Sequence, residues 1–304
     1  MNLQQIETFV QVAETGSFSK AAVLLDTAQP ALSRQVRALE TELRETLLIR
    51  TGRGVTLTDA GRRLLEHGHA ILQRVAQAKE DLGAQRDEPV GRIVVGLPPS
   101  LARRLTPPLI DRFRRDMPKA RLAVVEGFST HIAEWLTTGR MDLGLVYSPE
   151  PHPHIEIAPV LEERLCLVGP QEALAGQGLR GAVRFDDLPR FPLIVPQQGQ
   201  IFRKLMEAQA ALSQARLQVA WEVSSVPVIL DLVHGGYGYA TLTRSALGQH
   251  GAHAGLAVLT IESPHVVSML CLAQSAKKRA TPLIRKTAQV LRELCLQVNA
   301  SAEE

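Results

Sequence analysis

The chain has 304 residues, of which 45% are hydrophobic, 21% charged and 4% aromatic, and its formal net charge at pH 7 is +3. This length allows two or three domains with separate cores. No apolar run approaches the roughly 18 residues that a transmembrane helix needs, which excludes a membrane-spanning protein. Because "MNLQQIETFVQ" lacks the basic start and apolar core of a signal peptide, we expect a cytoplasmic protein with no membrane partner.

Basic residues cluster locally in the first part of the chain. Residues 1–88 hold eleven Lys/Arg and twelve Asp/Glu, whereas residues 29–63 hold seven Arg and four acids. An anionic partner would therefore meet a local patch and not the field of the whole protein.

Two short helices are predicted first. The apolar spacing of residues 3–13 indicates one helix, which Gly16 ends. Ser17 or Ser19 can cap the second, "KAAVLLD", and "TAQ" then makes a tight turn.

The third helix begins within "AQPALSRQVRALETELRE" (28–45), where Pro30 suits the first turn. Its apolar stripe consists of Leu32, Val36, Leu39 and Leu43. Two helices joined by a tight turn indicate a helix-turn-helix. The runs "LLIR" and "VTLT" around "TGRG" predict a hairpin with Arg50 and Arg53, a basic wing suited to phosphates or a minor groove.

The free face of the third helix offers hydrogen-bonding side chains, namely Gln29, Ser33, Arg34 and Arg37. Gln and Arg can contact adenine and guanine edges in a bidentate manner, and the helix start attracts phosphate. A solvated face of a small helical domain is the alternative. The turn before the helix and the basic hairpin after it favour binding to double-stranded DNA.

The run "FVQVAETGSFSKAAVLLDTAQPALSRQVRALETELRETLLIRTGRGVTLTDAG" closely resembles the DNA-binding end of LysR-type transcriptional regulators. The resemblance rests on a "G-S-F-x-x-A-A" turn, a "Q-P-A-L-S" recognition helix and an "R-x-x-x-x-x-x-L-T-x-A-G" wing. It implies that Gln29, Pro30, Ser33 and Arg34 face the major groove and that Arg53 makes the wing contact. "AQPALS" with "LLIRTGRGV" is most similar to the branch that includes nitrogen-assimilation regulators.

Thr58 and Asp59 cap a helix that is predicted to run to about Leu82. Its four-three spacing of apolar residues is that of a coiled-coil seam, and we expect dimerisation through Leu64, Ile71, Val75 and Leu82. The alternative is a helix packed on its own domain. "GAQRDEP" (83–89) is a plausible hinge.

Short aliphatic strands then alternate with helices. "GRIVVGL" (91–97), "ARLAVVEG" (120–127) and "MDLGLVY" (141–147) read as strands buried on both faces, and a second α/β set includes "RLCLVGP", "FPLIVP", "LQVAWEV" and "YGYATL". The pattern implies a parallel sheet with helices on its faces. Two such lobes resemble the periplasmic-binding-protein-like effector domain of the same regulators, except that Thr243 replaces a proline of the "x-G-x-G-x-x-x-L-P" motif.

The predicted fold is a winged helix-turn-helix dominated by helices (1–58), a linker helix and hinge (59–88), and an α/β effector domain of two Rossmann-like lobes (89–304). Lobe I would comprise about 89–161 and 268–304, and lobe II about 162–267. In open α/β folds ligands bind where strands end and helices begin. We therefore expect a small effector, typically a carboxylate, at loops that contain Ser100, Ser129, Thr130, Tyr147, Ser148, Gln200, Ile201 and Phe202.

Other chemistry has little support. The separated Cys166, Cys271 and Cys295 are expected to be reduced and buried, and His152 and His154 in "PEPHPHIEI" to be exposed loop residues and not a metal site. We find no catalytic constellation and expect no cofactor. A solute-binding protein or an enzyme on the two-lobed scaffold remains the alternative to a DNA-binding regulator. Its partners would be DNA, a small effector, further copies in a dimer or tetramer, and RNA polymerase if it activates transcription.

Overall fold

The computed structural model describes residues 1–51, 54–83, 88–247, 255–276 and 280–303. The chain divides into two compact units, one of Met1–Arg86 with Thr138–Arg140 and one of Asp87–Thr137 with Met141–Glu304. None of the described helices has the length and apolarity that a membrane crossing requires.

The N-terminal unit contains the three helices, the hairpin and the long helix that the sequence predicts. These elements are α1 (Leu3–Thr15), α2 (Phe18–Leu24), α3 (Gln29–Leu43), β1 (Leu48–Thr51), β2 (Gly54–Leu57) and α4 (Asp59–Gly83). Ser17 caps α2, where its side chain accepts a hydrogen bond from Lys20 N. Thr58 caps α4 by accepting a hydrogen bond from Gly61 N at 2.9 Å.

The core of this unit lies between α1 and the apolar stripe of α3. Leu32, Val36 and Leu39 are almost fully buried in one cluster with Phe9 of α1. Leu43, the last residue of the predicted stripe and of helix α3, is 36% exposed. The prediction was wrong for that residue.

The long helix α4 packs in part on its own unit. Leu64 and Ile71 are half-buried against the core cluster, and a Cβ added at Gly68 would lie 2.8 Å from Val10 Cγ2. The first half of the predicted seam therefore packs on its own unit. This agrees with the alternative interpretation, in which the helix packs on its own domain. Val75 is half-buried, and the side chain of Leu82 lies outside the described residues, as do residues 84–87 of the predicted hinge. Dimerisation through α4 stays a prediction.

The second unit is an α/β domain. Its strands are β3 (Gly91–Leu97), β4 (Ala120–Glu126), β5 (Leu143–Tyr147), β6 (Ile155–Pro170), β7 (Ala182–Arg184), β8 (Pro192–Val195), β9 (Gln218–Glu222), β10 (Tyr239–Thr243), β11 (Leu256–Glu262) and β12 (Val267–Ser275). Its α-helices are α5 (Pro99–Asp116), α6 (Ser129–Thr138), α7 (Gln171–Gly176), α8 (Ile201–Leu212), α9 (Val226–His234) and α10 (Pro282–Glu303).

The sheet is mixed, which corrects the prediction of a parallel sheet. Its strands follow the order β4-β3-β5-β12-β6-β10-β8-β9, with β11 beside β6 and β7. The neighbours β3, β4 and β5 are parallel in one lobe, and β8, β9 and β10 are parallel in the other. The strands β6 and β12 run antiparallel to their partners and join the lobes.

Strand β6 belongs to both lobes. Residues 155–164 pair with β12, and residues 165–170 pair with β10 and β11. The sequence predicted only the second part as a strand, and it did not predict β7, β11 or α7. Strand β4 was predicted to be buried on both faces, but it forms an edge of the sheet and most of its residues are half-buried or exposed. The predicted domain and lobe boundaries stay predictions.

Candidate functional site

The predicted DNA-contact residues of α3 lie at its N-terminal half. Pro30, Arg34 and Arg37 are exposed, whereas Gln29 and Ser33 are half-buried. Residues 29, 33 and 37 are four positions apart, so that they share one face of the helix, and Arg34 borders that face. This side of the helix therefore carries two exposed guanidinium groups and a hydroxyl, which suit base edges and phosphates.

Arg50 joins the hairpin to the helix-turn-helix. Its Nη2 donates a hydrogen bond to Ser33 Oγ at 2.7 Å, and its guanidinium lies 4.7 Å from the centre of the Phe18 ring. Arg50 thus holds β1, α2 and α3 together beside the predicted contact face. The second predicted wing residue, Arg53, lies outside the described residues.

The wing is held by backbone contacts that depend on Glu40 and on a glycine. Glu40 Oε1 accepts hydrogen bonds from Leu47 N at 2.8 Å and Leu48 N at 3.1 Å, where β1 begins. Gly54 has φ +141°, and a Cβ there would lie 2.5 Å from Gly16 O. Any other residue at position 54 would push the hairpin away from the helix-turn-helix.

A small cavity in the second unit lies where four helices begin. This inner cavity, of about 40 Å³, is lined by Pro99 of α5, Ser129 of α6, Ile201 of α8 and Val226 of α9, each the first residue of its helix. A helix start carries partial positive charge from unpaired N–H groups. None of the described side chains that line the cavity is charged. The four helix starts therefore favour an anionic group without any basic side chain.

Ser224 also lines the inner cavity, and its hydroxyl could bind a ligand there. Ser224 Oγ is buried and has no hydrogen-bond partner among the described residues. A buried hydroxyl without a partner costs free energy, which a ligand that accepts a hydrogen bond from it would recover. Ser224 was not among the predicted site residues, although it follows a predicted strand and precedes a predicted helix in "VSSVP".

A larger outer cavity, of about 400 Å³, adjoins the inner one. It shares Ser129, Tyr147, Gln200 and Ile201 with the inner cavity, and it is also lined by residues such as Glu134, Glu150 and Lys204. Of the other predicted effector residues, Ser100 and Phe202 line the inner cavity, and Thr130 and Ser148 line the outer one. The structure brings all eight together, although their role as ligand contacts stays a prediction.

Four of the predicted hydroxyls already have partners, namely those of Ser129, Ser148, Tyr147, which donates to Glu163, and Ser100, which is hydrogen-bonded to Tyr147. Ser129 Oγ accepts a hydrogen bond from Tyr147 N at 2.9 Å, and Ser148 Oγ accepts one from Met269 N at 3.1 Å. Ser148 Oγ also lies 3.1 Å from Ser268 Oγ. Ser148 therefore links its loop to β12, whereas the O–H of Ser129 can still donate a hydrogen bond.

A buried polar network lies behind the inner cavity. The Tyr147 hydroxyl donates a hydrogen bond to Glu163, whose side chain is buried on β6, and the rings of Tyr147 and Phe202 lie 4.8 Å apart. Burial raises the pKa of Glu163, while hydrogen bonds from Ser245 and Tyr147 lower it in part. Burial, and then the nearby Glu163, raises the pKa of Tyr147 well above its ordinary value. Thr243, the position that departs from the resembled motif, lies in this region with its Oγ1 3.0 Å from Ser245 Oγ.

The cysteines and histidines have the surroundings that the sequence predicts. Cys166, Cys271 and Cys295 are free and buried, and burial raises the pKa of Cys295 to about 12. His152 and His154 are exposed. In the described part of the chain, no group of three or more His, Cys, Asp or Glu residues could hold a metal ion.

Comparison with known proteins matches nearly the whole chain. Residues 3–62 match the family described as bacterial regulatory helix-turn-helix protein, lysR family, and residues 86–296 match the LysR substrate binding domain. The HTH-type transcriptional regulator BbuR of Bordetella bronchiseptica is 31% identical, over 91% of this chain and 84% of that protein. The nitrogen assimilation regulatory protein nac of Klebsiella aerogenes is 30% identical, over 98% of this chain and 95% of that protein.

Solved structures share the fold. Full-length CbnR complexed with its target DNA has a TM-score of 0.73 and 23% identity, over 97% of this chain and all (100%) of that chain. A full-length OxyR variant from Pseudomonas aeruginosa has a TM-score of 0.74 and 23% identity, over 97% of this chain and 94% of that chain.

Proposed function

The chain belongs to the LysR family and is a DNA-binding transcriptional regulator, and on that premise we propose that it binds a small anionic effector in the inner cavity. The observation that carries the proposal is the convergence of four helix starts on this cavity, together with the unpaired hydroxyl of Ser224. An anion bound there would contact both lobes at once. It would favour an arrangement in which the two lobes are closed over it. The size of this effect is set by the difference between its affinities for the closed and the open lobes.

DNA is read, on this proposal, by Gln29, Pro30, Ser33 and Arg34 in the major groove, with Arg37, Arg50 and Arg53 on phosphates or in the minor groove. The exposure of Arg34 and Arg37 on one helix supports it. The relatives are named as regulators, which supports a cytoplasmic role that involves no catalysis. RNA polymerase would be a partner if the chain activates transcription. The similarity to nac supports a place near the nitrogen-assimilation branch.

The effector proposal is tested with Ser100→Ala in a thermal-shift screen of small mono- and dicarboxylates. We expect a saturable stabilisation of wild type, worth about 2.7 kcal/mol at 100 times the Kd. Loss of a hydrogen bond to the anion in the variant should weaken binding by about 1.5–3 kcal/mol. Ser213→Ala, outside both cavities, is the matched control. If no carboxylate stabilises wild type, the effector proposal fails, while the assignment to DNA-binding regulators stands.

Dimerisation would use the α4 face that contains Leu64, Ile71, Val75 and Leu82. Because Leu64 and Ile71 also pack on their own unit, Val75→Glu is the more selective change. An uncompensated charge buried in the seam should cost about 3–5 kcal/mol, and sedimentation should show monomers at micromolar concentration. His67→Glu adds the same charge at an exposed position of α4 and should leave dimers intact. Dimers that persist with Val75→Glu would place the pairing surface elsewhere.

A further inference from the structure

A chain of buried polar side chains crosses from one lobe to the other beside the inner cavity. At its centre is Glu163, whose carboxyl group accepts hydrogen bonds from the hydroxyl of Tyr147 and from the hydroxyl and backbone N–H of Ser245. All three residues are buried. Hydrogen bonds are stronger in such surroundings than in water, and each one is costly to leave unmade.

The three residues belong to different parts of the fold. Tyr147 ends β5, which pairs with β3 in one lobe. Ser245 follows β10 of the other lobe, in the short 3-10 helix Arg244–Leu247. Glu163 lies on β6 two residues before Leu165, where the partner of that strand changes from β12 to β10. The carboxyl group therefore bridges the two lobes next to a crossover of the chain.

The 3-10 helix is also attached to the first lobe by Arg104 of α5. The Nη1 of Arg104 donates a hydrogen bond to Ser245 O at 3.4 Å, and its Nη2 donates one to Val298 O of α10 at 3.1 Å. The 3-10 helix packs on α5, α10 and β6. A segment that leaves the sheet of the second lobe thus rests on the helices of the first, and Glu163 lies in this contact.

Thr243 completes the chain of polar groups on the side of the second lobe. It is buried at the end of β10, and its Oγ1 lies 3.0 Å from Ser245 Oγ. The proline of the resembled motif has no hydroxyl and could not make this contact. The departure from the motif at this position therefore adds a group that can orient the Ser245 hydroxyl toward Glu163.

The other end of the chain reaches the inner cavity. Tyr147 and Ser100 line this cavity, and the Ser100 hydroxyl is hydrogen-bonded to that of Tyr147. The ring of Tyr147 lies 4.8 Å from the ring of Phe202, which belongs to α8 of the second lobe. The bond from Tyr147 to Glu163 therefore holds a side chain of the cavity wall as well as the lobes.

We propose that Glu163 is a positioning residue, which holds the two lobes in the arrangement of this structure by accepting hydrogen bonds from Tyr147 of one lobe and Ser245 of the other. The two contacts act in series, so that loss of the Tyr147 bond breaks the connection through Glu163. Opening of the lobes would separate the helix starts around the inner cavity and weaken the binding of an anion there. This last consequence rests on the proposed function, whereas the connection itself does not.

The test measures the distance between the lobes without any ligand. Nitroxide labels on Arg121→Cys in β4 and Glu172→Cys in α7, both exposed positions, report that distance by double electron-electron resonance on the full chain. Dilution with unlabelled chain leaves one labelled copy in each oligomer. The native cysteines are buried and should stay unlabelled. Tyr147→Phe removes one oxygen atom, and it should shift the main distance, or add a second distance, by more than about 2 Å.

A second variant separates contacts in series from independent contacts. Ser245→Ala keeps the backbone N–H contact to Glu163, so that alone it should cause a smaller change than Tyr147→Phe. Added to Tyr147→Phe it should change nothing further, because the connection is already broken. Thr287→Val removes a buried hydroxyl that has no partner in the described part of the chain, and it should preserve the wild-type distances. Cooperative unfolding in denaturant verifies that each variant is folded.

The outcomes also separate this inference from the effector proposal. Wild-type distances in Tyr147→Phe would overturn the role of Glu163. A double variant that opens further than Tyr147→Phe would overturn it as well, since the effects of independent contacts add. In either case an anionic effector in the inner cavity would still be open to the carboxylate screen. A screen in which no carboxylate binds would overturn the effector alone, because the distances are measured without a ligand.

Discussion

Replacing Glu163 by alanine is expected to lower the free energy of unfolding of the C-terminal unit by about 3–5 kcal/mol. Glu163 is only 5% exposed, and its carboxyl group accepts hydrogen bonds from Tyr147 and Ser245. Arg104 adds a favourable charge interaction. Truncation would leave buried donors without an acceptor and open a cavity beside them. Denaturant unfolding of the full chain, with the exposed neighbour Glu162→Ala as control, measures the loss.

Glu163→Gln shows whether this carboxyl group is protonated in the folded unit. Burial raises the pKa of Glu163 above the ordinary carboxyl value of 4.5, so that the folded state binds the proton more tightly than the unfolded chain. The stability from this group is therefore fully present below the ordinary pKa and is lost as pH rises through the raised value. Wild type should lose stability relative to Glu163→Gln as pH rises above 4.5. Parallel stability curves would mean that the folded and unfolded states release this proton over the same pH range, so that folding does not raise the pKa of Glu163.

Local signals account for the elements that the sequence predicted well. Helix α3 has its apolar stripe and its proline within one stretch, and β3 is a short aliphatic run with a glycine at its start. Such patterns depend on residues a few positions apart. The first part of β6 could not be found in this way, because "IEIAPVLEE" becomes a strand by pairing with β12, more than a hundred residues later. The exposure of β4 likewise follows from its place at the sheet edge.

One rule, that ligands bind where strands end and helices begin, predicted part of the candidate site. Residues that follow a strand and begin a helix were expected to meet, and Ser100, Ser129 and Ile201 do line the inner cavity. The register of β6 decides which of its two adjacent acids is buried, and Glu162 and Glu163 are not distinguished by their sequence context. Glu163 was therefore missed. The packing of Gly68 on α1 was missed for a similar reason, since it depends on how two helices meet.

Arg34→Ala is expected to weaken binding to the specific DNA site by about 1–3 kcal/mol, or roughly 5- to 150-fold, and to relax selection at one base pair. Arg34 is exposed in the first turns of α3, from which recognition helices reach base edges. Arg50 differs, because its guanidinium is bonded to Ser33 and lies over Phe18, so that it holds the contact face in place.

The measurement is a gel shift at fixed salt on the specific site, on sites altered one base pair at a time, and on unrelated DNA. Arg216→Ala removes the same charge from an exposed position in the other unit and should leave both affinities nearly unchanged. Arg34→Ala could instead lower affinity for all sequences equally and make the salt dependence of binding weaker by the amount that corresponds to about one phosphate contact. Arg34 would then bind the DNA backbone and not a base. Selection of the site would then fall to Gln29, the hydrogen-bonding side chain at the very start of α3.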